Sequence, residues 1–279
     1  MGGSYQAKKM DIIKYALEED IGAGDVTTNS IIPENQRSRA IIKAKEQGVI
    51  CGLDIAKRVF QIYDSQVRYE KLVKDGDLVQ EWTEIAIVEG STRSLLTCER
   101  TALNFLQHMS GIATRTNAYV KEMGETKTQL LDTRKTVPGM RVLEKYAVKC
   151  GGGTNHRMGL YDMIMIKDNH IAAAGSIVEA IRKARALNTG LKIEVECKTL
   201  DEVVDALTER PDIIMLDNMK PAQIKKCIYA IGGKSKVELS GGITKKTLRE
   251  YSVLGADYVS VGELTRDVDT LDISMDIPL

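Results

Sequence analysis

The chain of 279 residues has no excess charge of either sign: 39 Lys plus Arg are matched by 39 Asp plus Glu, for a formal net charge of +0. Global electrostatics therefore give no support to a nonspecific nucleic-acid or membrane-surface role, and any anion site must be local. No apolar run approaches the roughly 20 residues needed to span a bilayer, and the first residues lack the basic-then-apolar pattern of a secretory signal. The expectation is a cytoplasmic protein with neither nucleic acid nor membrane as partner. Cysteine pairing is also missing. Cys51, Cys98, Cys150, Cys197 and Cys227 are odd in number and widely spaced, and none forms a Cys-x-x-Cys pair. Reduced, mostly buried thiols are expected rather than a zinc or redox motif. There is no low-complexity tract. With 43% hydrophobic and 28% charged residues, the composition is that of a soluble globular protein able to bury a substantial core.

The second half carries six short apolar runs, each stopping at a polar, charged or glycine residue. Leu130-Leu131 precedes Asp132, Met163 to Ile166 precedes Lys167, and Ile193 to Val195 precedes Glu196. Ile213 to Leu216 precedes Asp217, Val237 to Leu239 precedes Ser240, and Val259 to Val261 precedes Gly262. Alternating with helical patterns at 142–149, 175–187, 200–208, 222–231 and 245–254, these runs read as parallel strands whose carboxyl ends share one mouth. The stretch is shorter than the roughly 250 residues of a regular eight-stranded barrel, so an irregular α/β barrel with fewer than eight strands is expected over 113–279, with packing of the last residues back on the N-terminal unit as an option. Upstream, 1–112 reads as a small α+β, sandwich-like unit. It has a helix at 11–19, a glycine- and acid-rich loop at 20–28, β segments at 40–44, 48–51, 67–73 and 84–88, and a helix at 53–63. A helical pattern over 99–123, interrupted by Gly111, links the two parts.

Chemistry concentrates at the strand ends. Arg134 and Lys135 follow one, His156 and Arg157 follow the Gly151-Gly152-Gly153 loop, and Lys167 closes the next. Cations recurring at successive strand ends suit an anion with more than one carboxylate, since Arg pairs bidentately and Lys supplies a point charge. Glu196 and Asp217 end two later strands, where they can face Mg²⁺, sugar hydroxyls or a developing positive charge. Ser240-Gly241-Gly242 and Gly262 offer backbone amides of the kind that cradle phosphate, although an isolated Ser-Gly-Gly is more often only a turn. Cys150 and Cys197 lie near the expected mouth, but neither has a paired base in local sequence.

These residues also resemble a known family. Leu131-Asp132-Thr133-Arg134-Lys135-Thr136, Pro138-Gly139-Met140-Arg141, Glu144-Lys145-Tyr146-Ala147, Asn155-His156-Arg157-Met158-Gly159-Leu160-Tyr161-Asp162 and Ile166-Lys167-Asp168-Asn169-His170 are similar to the quinolinate phosphoribosyltransferases. The resemblance extends upstream to Glu19–Asp25 and Glu99–Gln107, and downstream to Glu194–Cys197, Leu216–Asn218, Glu238–Gly242 and Ser260–Gly262. It implies an N-terminal α/β sandwich, an irregular C-terminal barrel and a homodimer or higher homo-oligomer. It also implies a Mg²⁺-dependent glycosyltransferase joining quinolinate to phosphoribosyl pyrophosphate in NAD biosynthesis, with release of nicotinate mononucleotide, pyrophosphate and carbon dioxide.

By that resemblance, Arg134, Lys135, His156, Arg157 and Lys167 form the quinolinate and phosphate rim, and Arg100 reaches a neighbouring subunit's site. Glu196 and Asp217 are the ribose- and metal-side acids, directly or through water or substrate. Ser240, Gly241, Gly242 and Gly262 form the phosphate cradle, and Lys135, Lys167, Glu196 and Asp217 are the catalytic set. A molybdenum-locus relative with another substrate and a noncatalytic binding protein on the same scaffold are the alternatives. The joint retention of the cations and acids speaks against both.

Overall fold

A computed structural model describes the backbone of residues 2–278 and the side chains of 12–278. The described residues fall into two compact units. One consists of residues up to Asn117, Thr136–Gly152 and Thr265 onward; the other consists of Ala118–Lys135 and Gly153–Leu264. The expected division at 112/113 falls inside a helix, and the segments at 136–152 and from 265 group with the first unit.

The first unit opens with α1 (Gly2–Ile21) and α2 (Val26–Ile31), followed by β1 (Arg37–Ala44), β2 (Gly48–Val49) and α3 (Leu53–Tyr63). It continues with β3 (Arg68–Lys71), β4 (Leu78–Val79), β5 (Glu84–Ser91) and the start of α4 (Thr92–Met123). The segment expected as a loop over 20–28 is shorter, because the Asp25 Oδ1 accepts the Thr28 N–H at 2.9 Å and so caps the start of α2. Along α3, Leu53, Ile55, Ala56, Val59 and Phe60 are buried; their helical spacing makes one apolar face, which packs beside α1. β1 pairs antiparallel with β5 from Arg37↔Ser91 to Lys43↔Glu84, and β5 pairs with β3. The chain returns at its end to add β12 (Ile273–Asp276) beside β1, giving the order β12-β1-β5-β3.

The helix α4 runs unbroken through Gly111, where an interruption was expected. A Cβ there would overlap the Asp269 carbonyl oxygen, so this glycine serves close packing and does not end the helix.

The second unit is built on a parallel sheet of β6 (Gln129–Leu131), β7 (Ile164–Ile166), β8 (Ile193–Cys197), β9 (Ile213–Asp217), β10 (Lys236–Ser240) and β11 (Tyr258–Ser260). The order β6-β11-β10-β9-β8-β7 keeps β7 to β11 as sequential neighbours and joins β6 to β11. This is the order of a barrel with one open seam, between β6 and β7. A parallel bridge between Leu131 and Thr154 lies at the β6 side of that seam. The irregular barrel of fewer than eight strands is thus borne out, with six. α5 (Arg141–Cys150) belongs to the first unit. The connections in the second are α6 (Asp168–Ala174), α7 (Ile177–Ala186), α8 (Leu200–Thr208), α9 (Pro221–Ile231) and α10 (Lys245–Ser252), with α11 (Glu263–Arg266) after the last strand. α6 was not anticipated. It starts directly after Lys167, whose N–H donates to His170 Nδ1 at 3.0 Å.

Strand register separates the sheet's two faces, because paired residues project the same way and neighbours along a strand alternate. Glu196, Met215 and Glu238 are paired across β8, β9 and β10, and Asp217 pairs with Ser240. Glu194, Glu196, Met215, Asp217, Glu238 and Ser240 therefore share the inner face. The opposite face carries Val195, Cys197, Ile214, Leu216, Val237 and Leu239, all buried, on the side covered by α7 and α8.

Candidate active site

The expected rim residues of the second unit all stand at or just beyond the strand ends. Asp132, Arg134 and Lys135 follow β6, Asn155 to Arg157 follow the Thr154 bridge, and Lys167 follows β7. Glu196 and Asp217 lie at the ends of β8 and β9, Ser240 to Gly242 at and after the end of β10, and Gly262 after β11. Arg100 belongs to the first unit, exposed on α4.

Arg134 and Lys135 are exposed and Arg157 is half-buried. The Arg157 Nη1 donates to the Met163 carbonyl at 3.2 Å. Burial, and then the nearby Arg134 guanidinium, pull the Arg157 pKa below its ordinary value, opposed by Glu194 and Asp162. An anion held beside the Arg157 guanidinium would relieve that repulsion. Gly262 lies close under Lys135, where a Cβ would stand 3.1 Å from Lys135 Cδ.

The acids sit among donors. Lys167 Nζ is 3.3 Å from Glu196 Oε2 and Lys198 Nζ is 4.0 Å from Oε1. The Asp217 Oδ2 accepts Asn218 Nδ2 at 2.7 Å. Asn218 holds φ at +55° and Gly241 at +93°, and the Asn218 N–H donates to the Ser240 carbonyl at 2.9 Å. A Cβ at Gly241 would lie 2.6 Å from the Asn218 nitrogen, so only glycine lets these two turns meet. Ser240 and Gly241 are half-buried and Gly242 is exposed, leaving the turn open to a ligand.

Among the described residues, two groups bring three His, Cys, Asp or Glu donor atoms within 4.8 Å of one another: Cys51, Asp75 and Cys150, and His156, Glu194 and Glu238. Neither contains Glu196 or Asp217. A hard cation such as Mg²⁺ is usually held by one or two protein carboxylates completed by water and substrate phosphate, a donor type that Glu196 and Asp217 could supply.

Three acids received no role in the sequence reading. Asp132, fully buried, accepts the His156 N–H on Oδ1 at 2.8 Å and Asn155 Nδ2 on Oδ2 at 2.5 Å. Glu194 and Glu238, also fully buried, flank His156, whose Nε2 lies 3.1 Å from Glu194 Oε2 and 3.4 Å from Glu238 Oε2. Burial first, against the lowering effect of His156 and helped by Glu238, pushes the Glu194 carboxyl up to about 7. Burial disfavours charge on the His156 ring, but its bonds to the two acids outweigh that and raise its pKa to about 9. The Arg157 N–H meanwhile donates to His156 Nδ1 at 2.7 Å. A charged ring would set Nδ1–H against that donor, so the charged form requires this contact to open; with the contact made, the network assigns the ring hydrogen to Nε2. The signal for the two glutamates was present, since Glu194 and Glu238 lie inside runs read as apolar.

All five cysteines are free, with Cys150 half-buried and the others buried. Cys197 occupies the outer, apolar face, where burial raises its pKa, which removes it as a nucleophile. Among the described residues no helix is long and apolar enough to cross a membrane.

The family model for the quinolinate phosphoribosyl transferase N-terminal domain matches residues 25–110, and that for the C-terminal domain matches 112–276. A probable nicotinate-nucleotide pyrophosphorylase [carboxylating] of Bacillus subtilis is 45% identical over 275 residues, covering 98% of this chain and 94% of the relative. The nicotinate-nucleotide pyrophosphorylase [carboxylating] of Mycobacterium leprae is 42% identical, covering 96% of each. Among solved structures, NadC from Streptococcus pyogenes superposes with a TM-score of 0.93 at 46% identity, covering 95% of this chain and 94% of that one. With both domain models matched in succession along the chain, and a six-stranded barrel, open at one seam, whose strand ends carry these cations and acids, the chain belongs to the quinolinate phosphoribosyltransferase family.

Proposed function

We propose that this chain transfers the phosphoribosyl group of phosphoribosyl pyrophosphate to quinolinate, with loss of carbon dioxide, yielding nicotinate mononucleotide and pyrophosphate for NAD biosynthesis. The observation that carries this reading is the rim of Arg134, Lys135, Arg157 and Lys167 beside Glu196 and Asp217, at the carboxyl ends of one parallel sheet. Cations of this density match a planar dicarboxylate, and clamping both carboxylates aims the pyridine nitrogen at the ribose anomeric carbon. His156 belongs to the same segment as Arg157 and borders the same rim.

The pyridine nitrogen forms the new bond to the anomeric carbon as the bond to pyrophosphate breaks. Glu196 and Asp217 stabilise the positive charge that develops on the sugar, while Lys135 and Lys167 offset the negative charge on the leaving group. The backbone amides of the 240–242 turn and Gly262 are placed for the substrate's phosphate. The quaternised ring then takes the electron pair released as the adjacent carboxylate leaves as carbon dioxide, and the ring carbon takes up a proton. Glu196 and Asp217 are the residues that would hold Mg²⁺, which when bound supplies charge neutralisation on pyrophosphate. Arg100 completes the site of a partner subunit, so the working form is at least a dimer.

The test is incubation of the purified protein with quinolinate, phosphoribosyl pyrophosphate and Mg²⁺. Nicotinate mononucleotide and carbon dioxide in equal amounts are expected, and the absence of both contradicts the reading. An Arg100→Ala variant mixed with an Arg134→Ala variant should recover part of the activity each lacks, through mixed dimers carrying one native site. Failure to recover it after demonstrated subunit exchange removes the shared-site part alone.

A further inference from the structure

His156 is held from several sides. Its Nε2 faces Glu194 Oε2 at 3.1 Å and Glu238 Oε2 at 3.4 Å. Its backbone N–H reaches Asp132 at 2.8 Å, and its Nδ1 takes the Arg157 N–H at 2.7 Å. Since Nδ1 is used as an acceptor, the ring hydrogen is assigned to Nε2, the atom that lies between the two carboxylates. Those carboxylates are fully buried. Among the described residues, all four carboxylate oxygens and the ring Nε2 lack a partner in full hydrogen-bond geometry, and the nitrogen at 3.1 and 3.4 Å is the donor they face. Two acids sealed in the interior of a sheet cost folding free energy, and hydrophobic residues of similar volume would be the cheaper filling. The same three donors lie as close together as cation ligands do, but a ring nitrogen that carries hydrogen has no lone pair to give a metal.

We propose that Glu194 and Glu238 are positioning residues, which accept the His156 Nε2 hydrogen as a two-sided clamp and through that ring fix the backbone of Arg157 in the anion rim. The chain of contacts is short. The carboxylates set the ring plane, Nδ1 fixes the Arg157 N–H, and the Arg157 guanidinium is tied at its other end to the Met163 carbonyl. Loosening the clamp lets the guanidinium drift from the place where a carboxylate must meet it, and a displacement of about 1 Å at a reacting geometry can cost up to about a hundredfold. The proposal rests on the reading of the rim as the quinolinate site, and on no role for either acid in contact with substrate.

The test uses the full chain, with Glu194→Ala, Glu238→Ala and the conservative Glu194→Gln and Glu238→Gln variants. The Ala variants should raise the KM for quinolinate roughly tenfold or more, while the KM for phosphoribosyl pyrophosphate stays within about twofold. The Gln variants, which keep a carbonyl oxygen to accept the Nε2 hydrogen, should recover most of that loss. With only three histidines in the chain, ¹⁵N-histidine NMR can read the ring directly. A slowly exchanging Nε2–H with an unprotonated Nδ1 is expected for His156, assigned by its loss in His156→Gln, and in the Ala variants that hydrogen should exchange fast.

An unchanged quinolinate KM in the Ala variants, or Gln variants as impaired as Ala, overturns the clamp. So does a wild-type ring with its hydrogen on Nδ1, or an Nε2–H signal that disappears on adding Zn²⁺. Should the Ala variants fail to fold, the wild-type spectrum and the Gln variants still decide. If the wild-type protein turns over no quinolinate, the functional reading fails, while the ring's hydrogen position and exchange rate, read by NMR without substrate, still decide whether the clamp exists.

Discussion

The two faces of the six-stranded sheet are made from the same strands, residue by alternate residue, yet they do opposite work. The outer face is Val195, Cys197, Ile214, Leu216, Val237 and Leu239, all buried apolar side chains. Burial of this kind stabilises by about 25 cal/mol per Å² of apolar area removed from water. The inner face carries Glu194, Glu196, Asp217, Glu238 and Ser240. No comparable gain comes from burying carboxylates, and a sealed acid costs stability unless it is paired. The outer face therefore supports an inner face arranged for ligand chemistry, and the two should respond differently to substitution.

The largest expected effect breaks the outer face. Leu216→Ala removes a fully buried side chain and should cost about 3 kcal/mol of stability, read as a lowered denaturation midpoint, with the quinolinate KM of the still-folded fraction little changed. A strong KM effect at equal stability would mean the faces are not independent. Next, Arg157→Ala should weaken quinolinate binding by about 2–3 kcal/mol through loss of a charge-assisted pair, measured by calorimetry, with a stability change smaller than that of Leu216→Ala. Asp217→Asn should lower kcat by roughly tenfold to a hundredfold while changing quinolinate affinity only slightly, since its interaction grows as charge develops on the sugar. Lost quinolinate affinity with normal turnover at saturation would assign Asp217 to the wrong ligand.

The smallest expected effect lies in the first unit and serves as the control. Asp25→Ala should cost about 1 kcal/mol, the usual value of an N-cap. The Thr28 hydroxyl and N–H hold the Asp25 carboxyl below its ordinary range. Its contribution should therefore be complete above the pKa of the unfolded chain and lost as pH falls through the lower folded value. A midpoint difference between wild type and Asp25→Ala that persists unchanged at low pH would deny the carboxylate that role.

Much of the inner face's chemistry was legible because it sits where strands stop. Lys167, Glu196 and Asp217 directly follow apolar runs and Arg134 comes three residues after Leu131, and parallel topology alone brings such ends together. Glu194 and Glu238 were hidden by the same logic: inside Ile193–Val195 and Val237–Leu239 an acid flanked by apolar residues reads as part of a run, although strict alternation puts it on the opposite face. Asp132 was legible only as the end of a strand, since its bonds to the 155–156 segment arise from a bridge between Leu131 and Thr154 that no local pattern announces. The helix after Lys167 was missed because Lys-Asp-Asn-His carries no apolar period, its start being fixed by the His170 side chain. Gly111 misled in the other direction, since its reason is a distant backbone and not a helix end. The fold class and the six strands followed from pattern, whereas side-chain pairings across strands needed coordinates.

A rim proposed to hold two carboxylates at once must tell a dicarboxylate from a monocarboxylate. Calorimetric titration of the protein with quinolinate and, separately, with nicotinate, which lacks the carboxylate that leaves, tests it most directly. Quinolinate should bind tighter by at least about tenfold, the worth of one charge-assisted pair, with the advantage removed in Arg157→Ala. Equal affinity of the wild-type protein for the two ligands would contradict it.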